Sequence, residues 1–268
     1  MASKFVETAV GAAQQAGELL LTMLPEARAS KEIRTKRTPA DLVTRADRMS
    51  EDLIVGVLRA RFPDHGILAE EGSFHPGAEY RWIIDPLDGT TNFAHGLPLF
   101  CVSIGLEHRG RVIAGVVFHP PSGELFYADR GKGAFLRRAG TAQRLRVSRI
   151  DRVAQAVVAT GLPYDIRDTG NNIDHIGRLC RTAIEVRILG AAALHLAYVA
   201  AGRLDAFWEP ALNPWDIAAG ALLVEEAGGR VTHMSGTPFD VDCRDVLASN
   251  GSVHDEMVKL LGGRSSKD

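Results

Sequence analysis

The sequence is poor in the features that mark specialised chains, and each shortage excludes something. Its 268 residues hold only three cysteines, Cys101, Cys180 and Cys243, widely spaced and in no CxxC pair. That excludes a disulfide framework and reads as reduced thiols, small buried hydrophobes in a cytoplasmic protein. Charge of one sign is lacking too: 31 Lys plus Arg against 33 Asp plus Glu give a net charge of -2. Neither a nucleic-acid binder working by bulk positive charge nor an acidic solvating tail fits that balance. Long hydrophobic runs are missing. Glu7 and Glu18 interrupt the stretch from Phe5 to Leu24, so it reads as an amphipathic helix and not a signal peptide. The alanine-rich stretch Gly190 to Gly202 falls short of the roughly 18 residues a membrane span needs. There is no GxSxG elbow, HExxH, Walker loop or GxGxxG. Gly131-Lys132-Gly133 and the sequon Asn250-Gly251-Ser252 read as turns.

What is present is a globular pattern, 46% apolar and 24% charged. Phe5, Ala9, Ala13 and Ala16 recur at helical spacing, as do Met49, Leu53, Val57 and Ala60, so two helices precede the first strand. Thr44 to Asp47 has capping-box spacing, placing Asp47 in a first helical turn. Ile67-Leu68-Ala69 and Trp82-Ile83-Ile84 are short apolar runs suited to buried strands, each ending in an acid, Glu70 and Asp85. Strands over 102–106, 112–118 and 124–128 predict a meander. After about residue 150 the pattern turns to mixed α/β: strands over 157–160, 186–189, 206–208, at 231 and over 246–248, and helices over 173–182, 190–201 and 215–227. No linker or repeat separates the halves, 1–150 and 151–268, which therefore read as one continuous body.

The chemistry concentrates at Asp85-Pro86-Leu87-Asp88-Gly89-Thr90-Thr91-Asn92. A buried strand delivers Asp85, Pro86 fixes the backbone and Asp88 follows, so two carboxylates converge on a tight turn. Gly89 allows close approach, and Thr90-Thr91 opens a helix whose amides favour an anion. Carboxylates beside a phosphate need cations between them, and an oxygen-only donor set points to magnesium. A well-capped turn is the alternative. Glu70-Glu71 ends a neighbouring strand, one acid a ligand and the other a solvated neighbour. Asn213-Pro214-Trp215-Asp216 sets Asp216 at a helix start, as a ligand or only a cap.

These segments, with Trp215 to Gly220, Glu226 to Gly229, Asp41 to Asp47 and Gly236 to Asp240, resemble the paired signatures of the inositol monophosphatase family along almost the whole chain. The resemblance implies an α/β fold, an α+β N-terminal half and an α/β C-terminal half in a layered αβαβα sandwich of the inositol monophosphatase and fructose-1,6-bisphosphatase type. It implies two or three magnesium ions on Glu70, Asp85, the Leu87 carbonyl, Asp88 and Asp216, with Asp85 bridging. Asp47, Glu70 and Thr90 would form the catalytic set. Leu87, Asp88, Gly89, Thr90, Gly190, Ala191, Ala192, Glu209 and Asp216 would line the substrate site, Glu209 facing the hydroxyls of a polyol leaving group. A homodimer and inhibition by lithium are implied as well. Ala191 and His195 depart from common family residues, which bears on substrate choice and not on the metal set.

The activity expected is hydrolysis of a small phosphate monoester, inositol 1-phosphate first. Fructose 1,6-bisphosphate, histidinol phosphate and adenosine 3',5'-bisphosphate are alternatives, and a regulatory binding protein of the transcription machinery is the rival of another class. A glycosidase using Glu70 and Asp85 lacks aromatic sugar platforms. Asp205 and Arg187 read as packing or ion-pair residues, Lys36 as solvated, and His95 and His195 as satisfied core or surface groups.

Overall fold

The computed structural model describes residues 2–29, 34–35, 42–43, 45–76, 79–163 and 165–262. Lys36, Asp41 and the expected Thr44 cap lie outside these. Helix α1 (Lys4–Ala29) leads to a small antiparallel pair, β1 (Arg34–Thr35) and β2 (Leu42–Val43), and then to α2 (Arg45–Arg61). There follow β3 (Gly66–Ala69), β4 (Phe74–His75), β5 (Tyr80–Asp88), α3 (Thr90–Ala94), β6 (Cys101–His108) and β7 (Arg111–His119). Strands β8 (Glu124–Asp129), β9 (Gly133–Arg138) and β10 (Thr141–Arg144) complete an eight-stranded sheet ordered β10-β9-β8-β7-β6-β5-β3-β4.

The second half supplies β11 (Val157–Thr160), α4 (Ile166–Thr169), α5 (Ile173–Leu179), β12 (Glu185–Arg187), α6 (Ala192–Ala200) and β13 (Ala206–Pro210). After them come α7 (Pro214–Glu226), β14 (Arg230–Thr232), β15 (Asp245–Ser249) and α8 (His254–Gly262). The five strands form a sheet ordered β12-β11-β13-β15-β14.

Period-two alternation decides the layering. Trp82, Ile84, Val102, Ile104, Val116 and Phe118 pack on the apolar stripes of α1 and α2. Their neighbours Ile83, Cys101, Val117 and Phe126 face the other way, onto α6 and α7. Those two helices also carry Ala159, Phe207, Val246 and Ala248 of the smaller sheet in one apolar cluster. The opposite face of that sheet, Val158, Ala206, Trp208 and Leu247, packs with Leu179 and with Met257 and Leu261 of α8. The result is the expected αβαβα sandwich. Helix α7 lies close on the large sheet because Gly105 and Gly115 leave room: a Cβ there would stand 2.9 Å from the Ala218 Cβ and 2.8 Å from the Ala219 oxygen respectively.

Several expectations need correcting. Asp85 does not end its strand; β5 runs on to Asp88 through an irregularity between those two residues, as Pro86 offers no N–H to the ladder. The strand expected over 186–189 is only Glu185–Arg187, and α8 and β9–β10 are elements beyond those expected. Cys180 is exposed, unlike Cys101 and Cys243. Arg187, half exposed on edge strand β12, forms an ion pair as expected, with Glu185 at 2.9 Å. Asp205 is a packing residue, accepting hydrogen bonds from the Ser148 hydroxyl at 2.5 Å and the Val157 amide at 2.7 Å. No described helix is long and apolar enough to cross a membrane.

Candidate active site

Parallel pairing of β3 with β5, Ala69 opposite Ile84, brings Glu70 and Asp85 to one sheet edge. The Glu70 amide donates to the Ile84 oxygen at 3.2 Å, which fixes that juxtaposition. Beyond the irregularity in β5, Leu87 donates its amide to Asp85 Oδ1 at 3.0 Å. Gly89 then takes φ +93°, and a Cβ there would stand 2.8 Å from the Leu99 oxygen, so only glycine suits the turn into α3. The Thr90 hydroxyl lies 3.1 Å from the Leu87 oxygen and 3.4 Å from Asp47 Oδ1, with Asp47 buried in the first turn of α2. From the other half, Asp216 sits in the first turn of α7. Its Oδ2 accepts the Asn213 amide at 2.7 Å in a capping box, so the residue is a cap and a pocket acid at once.

Glu70, Asp88, Gly89, Thr90, Gly190, Ala191, Ala192, Glu209 and Asp216 line one pocket of about 390 Å³. Leu162, Pro163, Ile188, Trp215 and Arg244 add to its wall. Asp47, Asp85 and Leu87 lie buried behind this lining, reached through Thr90, through the turn and through charge.

The electrostatics are those of crowded acids. Burial, then the charges of Glu70, Asp88 and Asp216, hold the Asp85 carboxyl well above the usual carboxylate range. Burial, then Glu70 and Asp88, raises Asp216; burial, then Asp216 and Asp88, raises Glu209. Burial pushes Asp88 up to about 7, although the Ala193 amide, the Cys101 thiol and the Ala192 amide all donate to it. Burial and these acids keep Cys101 a thiol. Among the described residues, no three Asp, Glu, His or Cys side chains close into a ready coordination shell; the acids border the cavity instead. Their chemistry still fits a hard divalent cation, being carboxylates plus a backbone carbonyl whose strongest neighbouring charges are one another.

Some residues around the site escaped sequence reasoning. Glu51, 3% exposed, accepts the Glu71 amide at 2.7 Å and the Ser73 amide at 2.9 Å, shaping the loop that carries Glu70. Its place in the helical repeat of α2 was the only local signal. Glu71 is not a solvated neighbour, since its side chain is 4% exposed beside Arg48. Asn92, in the pocket lining, donates to the Leu99 and Leu189 oxygens, both at 2.7 Å, stitching the two halves together. His95 is at the surface, and His195 is in the core with Nε2 accepting the Leu189 amide at 3.0 Å. Among the described residues its buried Nδ1 has no hydrogen-bond partner, so that imidazole is only half satisfied there.

The model of the inositol monophosphatase family matches residues 1–263. The chain belongs to that family. An inositol-1-monophosphatase of Mesorhizobium japonicum is 44% identical over 226 residues, 83% of this chain and 84% of that protein. A fructose-1,6-bisphosphatase/inositol-1-monophosphatase of Thermotoga maritima is 45% identical over 221 residues, 82% of each chain. The crystal structure of the extragenic suppressor protein suhB from Bartonella henselae superimposes with a TM-score of 0.90 at 39% identity, covering 98% of this chain and all of that one. As a member of the inositol monophosphatase family the chain is a phosphatase, a metal-dependent class.

Proposed function

We propose that the pocket hydrolyses a small phosphate monoester with a hydroxyl-bearing leaving group, inositol 1-phosphate first and fructose 1,6-bisphosphate second. The observation that carries this reading is the set of acids from both halves, Asp85 and Asp88 buried and Glu70 and Asp216 partly buried at the pocket wall, whose charges crowd one another. The Leu87 carbonyl completes their donor set. Two or three magnesium ions bound there would neutralise the acids, attract the phosphate and make water nucleophilic near neutral pH.

The chain's own groups then have defined tasks. Glu70 and Thr90 orient the attacking water, and the Thr90 hydroxyl takes up its proton while passing its own to the Asp47 carboxylate. Backbone amides at Gly89 and Thr90 hold the phosphate. Gly190, Ala191 and Ala192 leave space for the leaving group, and Glu209 accepts its hydroxyls. Positioning and charge neutralisation supply most of the rate, as expected for phosphoryl transfer. The two halves, divided near residue 150, act in this reading as one catalytic unit in the cytoplasm, inhibited by lithium. A homodimer belongs to it too, supported by the exposed Ile184 and Ile188 flanking edge strand β12; sedimentation at the dimer mass is the check.

Phosphate release from inositol 1-phosphate, fructose 1,6-bisphosphate, histidinol phosphate and adenosine 3',5'-bisphosphate, with and without magnesium, tests the reading. Release from inositol 1-phosphate only with the metal is expected; no release from any ester with the metal present overturns it.

A further inference from the structure

Glu209, near the end of β13, is 9% exposed, and among the described residues its carboxylate takes no hydrogen bond. Something other than a direct partner must hold it at the pocket wall. Parallel pairing sets Thr160 opposite Trp208, so the next residues, Gly161 and Glu209, also stand side by side. A Cβ on Gly161 would lie 2.1 Å from Glu209 Oε1 and 2.2 Å from Cδ and Oε2: the carboxylate lies on the bare backbone of Gly161.

That surface is fixed from behind by Asn172. Its amide nitrogen donates to the Gly161 oxygen and to Thr160 Oγ1, both at 2.8 Å, and its oxygen accepts the Trp208 indole N–H at 2.7 Å. The Thr160 hydroxyl in turn donates to the Trp208 oxygen at 2.6 Å. Trp208 and Thr160 are 0% exposed and Asn172 is 3% exposed, so this is a buried network in which all three polar groups of the Asn172 amide are used. Asn172 holds a left-handed φ of 77°, a conformation asparagine tolerates better than most residues. It is absent from the pocket lining and meets no substrate.

We propose that Asn172 is a positioning residue that locks Gly161 to Trp208, and thereby seats the Glu209 carboxylate where it selects phosphate esters whose leaving group carries hydroxyls. This rests on the phosphatase reading of the pocket. A buried acceptor aimed at a hydroxyl discriminates strongly, whereas a carboxylate free to swing does not.

The test compares kcat and KM for p-nitrophenyl phosphate, which has no hydroxyl for Glu209, with those for inositol 1-phosphate or fructose 1,6-bisphosphate, whichever the magnesium-loaded wild type cleaves faster. Asn172→Gly keeps the left-handed backbone and removes only the bridge. In it the kcat/KM ratio of polyol to aryl ester is expected to fall about tenfold or more, mostly through KM. Gly161→Ala guards against a misfolded first variant, because the three atoms nearest its new methyl all belong to the Glu209 carboxylate, the end of a side chain that can turn aside; its crystal structure should show that carboxylate displaced, with the same drop in ratio. Equal losses on both esters in folded Asn172→Gly, or an unchanged ratio in Gly161→Ala, overturn the proposal alone. A wild type that cleaves the aryl ester but neither polyol ester also overturns it. A wild type that cleaves none of the esters overturns the phosphatase reading and the proposal together.

Discussion

Asp88 has two attachments at once: it faces the pocket, and its two oxygens accept the Ala192 and Ala193 amides at 3.1 and 2.7 Å. Asp88→Asn keeps one acceptor and loses the charge. Turnover is expected to fall by at least about a hundredfold, while the far-ultraviolet circular dichroism spectrum stays that of the wild type. A mutant with near wild-type turnover would remove Asp88 from the site. Gly89 has less tolerance still. Gly89→Ala puts a methyl against the Leu99 oxygen at a φ of +93° and is expected to lose about 1–3 kcal/mol in a denaturant titration, along with most activity.

His195 offers a residue-level pH effect. Burial lowers its pKa to about 3 from 6.5, so the folded protein holds it neutral while the unfolded chain takes up a proton below pH 6.5. Its contribution is therefore complete above pH 6.5 and declines as the pH drops toward 3, by at most about 1.4 kcal/mol per pH unit. The urea-derived stability difference between wild type and His195→Leu should shrink over that window; a constant difference would show that His195 titrates alike in both states.

At the scale of elements, the decisive relation is between α7 and the strands beneath it. Asp216 reaches the pocket because α7 starts at the Asn213 cap and then crosses Gly105 and Gly115 at backbone distance. Gly115→Val would force the helix off the sheet. About 1–3 kcal/mol of stability is expected to go, and activity should fall more than stability alone explains, because Asp216 moves with its helix. Unfolding midpoints and turnover measured on the same variant decide this. Much of the element pattern was legible in the sequence: the stripes of α1 and α2, the runs of β3 and β5, the turn between β7 and β8. Strand β10 was not, because all four of its residues are exposed and leave no apolar alternation, and α8 was not, because its buried Met257 and Leu261 give a stripe of only two turns.

For the whole molecule, folding gathers mutually repelling acids from both halves, and that cost falls when a divalent cation binds the native state alone. Magnesium is expected to raise the melting temperature of chelator-treated protein by several degrees in a concentration-dependent way. Asp216→Asn should blunt that rise. No rise at saturating magnesium would argue against a metal site between the halves.

By itself the sequence determined the local chemistry. The Asp85 to Asn92 turn, the acid following β3 and the capped start of α7 are written in adjacent residues whose backbone preferences act over a few bonds. The family resemblance assigned those acids to one site. Only tertiary structure decided how they are held. Glu51 is one of several acids in an amphipathic helix until folding brings the Glu71 and Ser73 amides to it. Asn172 and Gly161 look like loop residues until parallel pairing sets Gly161 beside Glu209 and Trp208 donates its indole N–H across 36 positions of chain. Hydrogen bonds and close contacts between distant residues depend on strand order and register, and no local pattern encodes either.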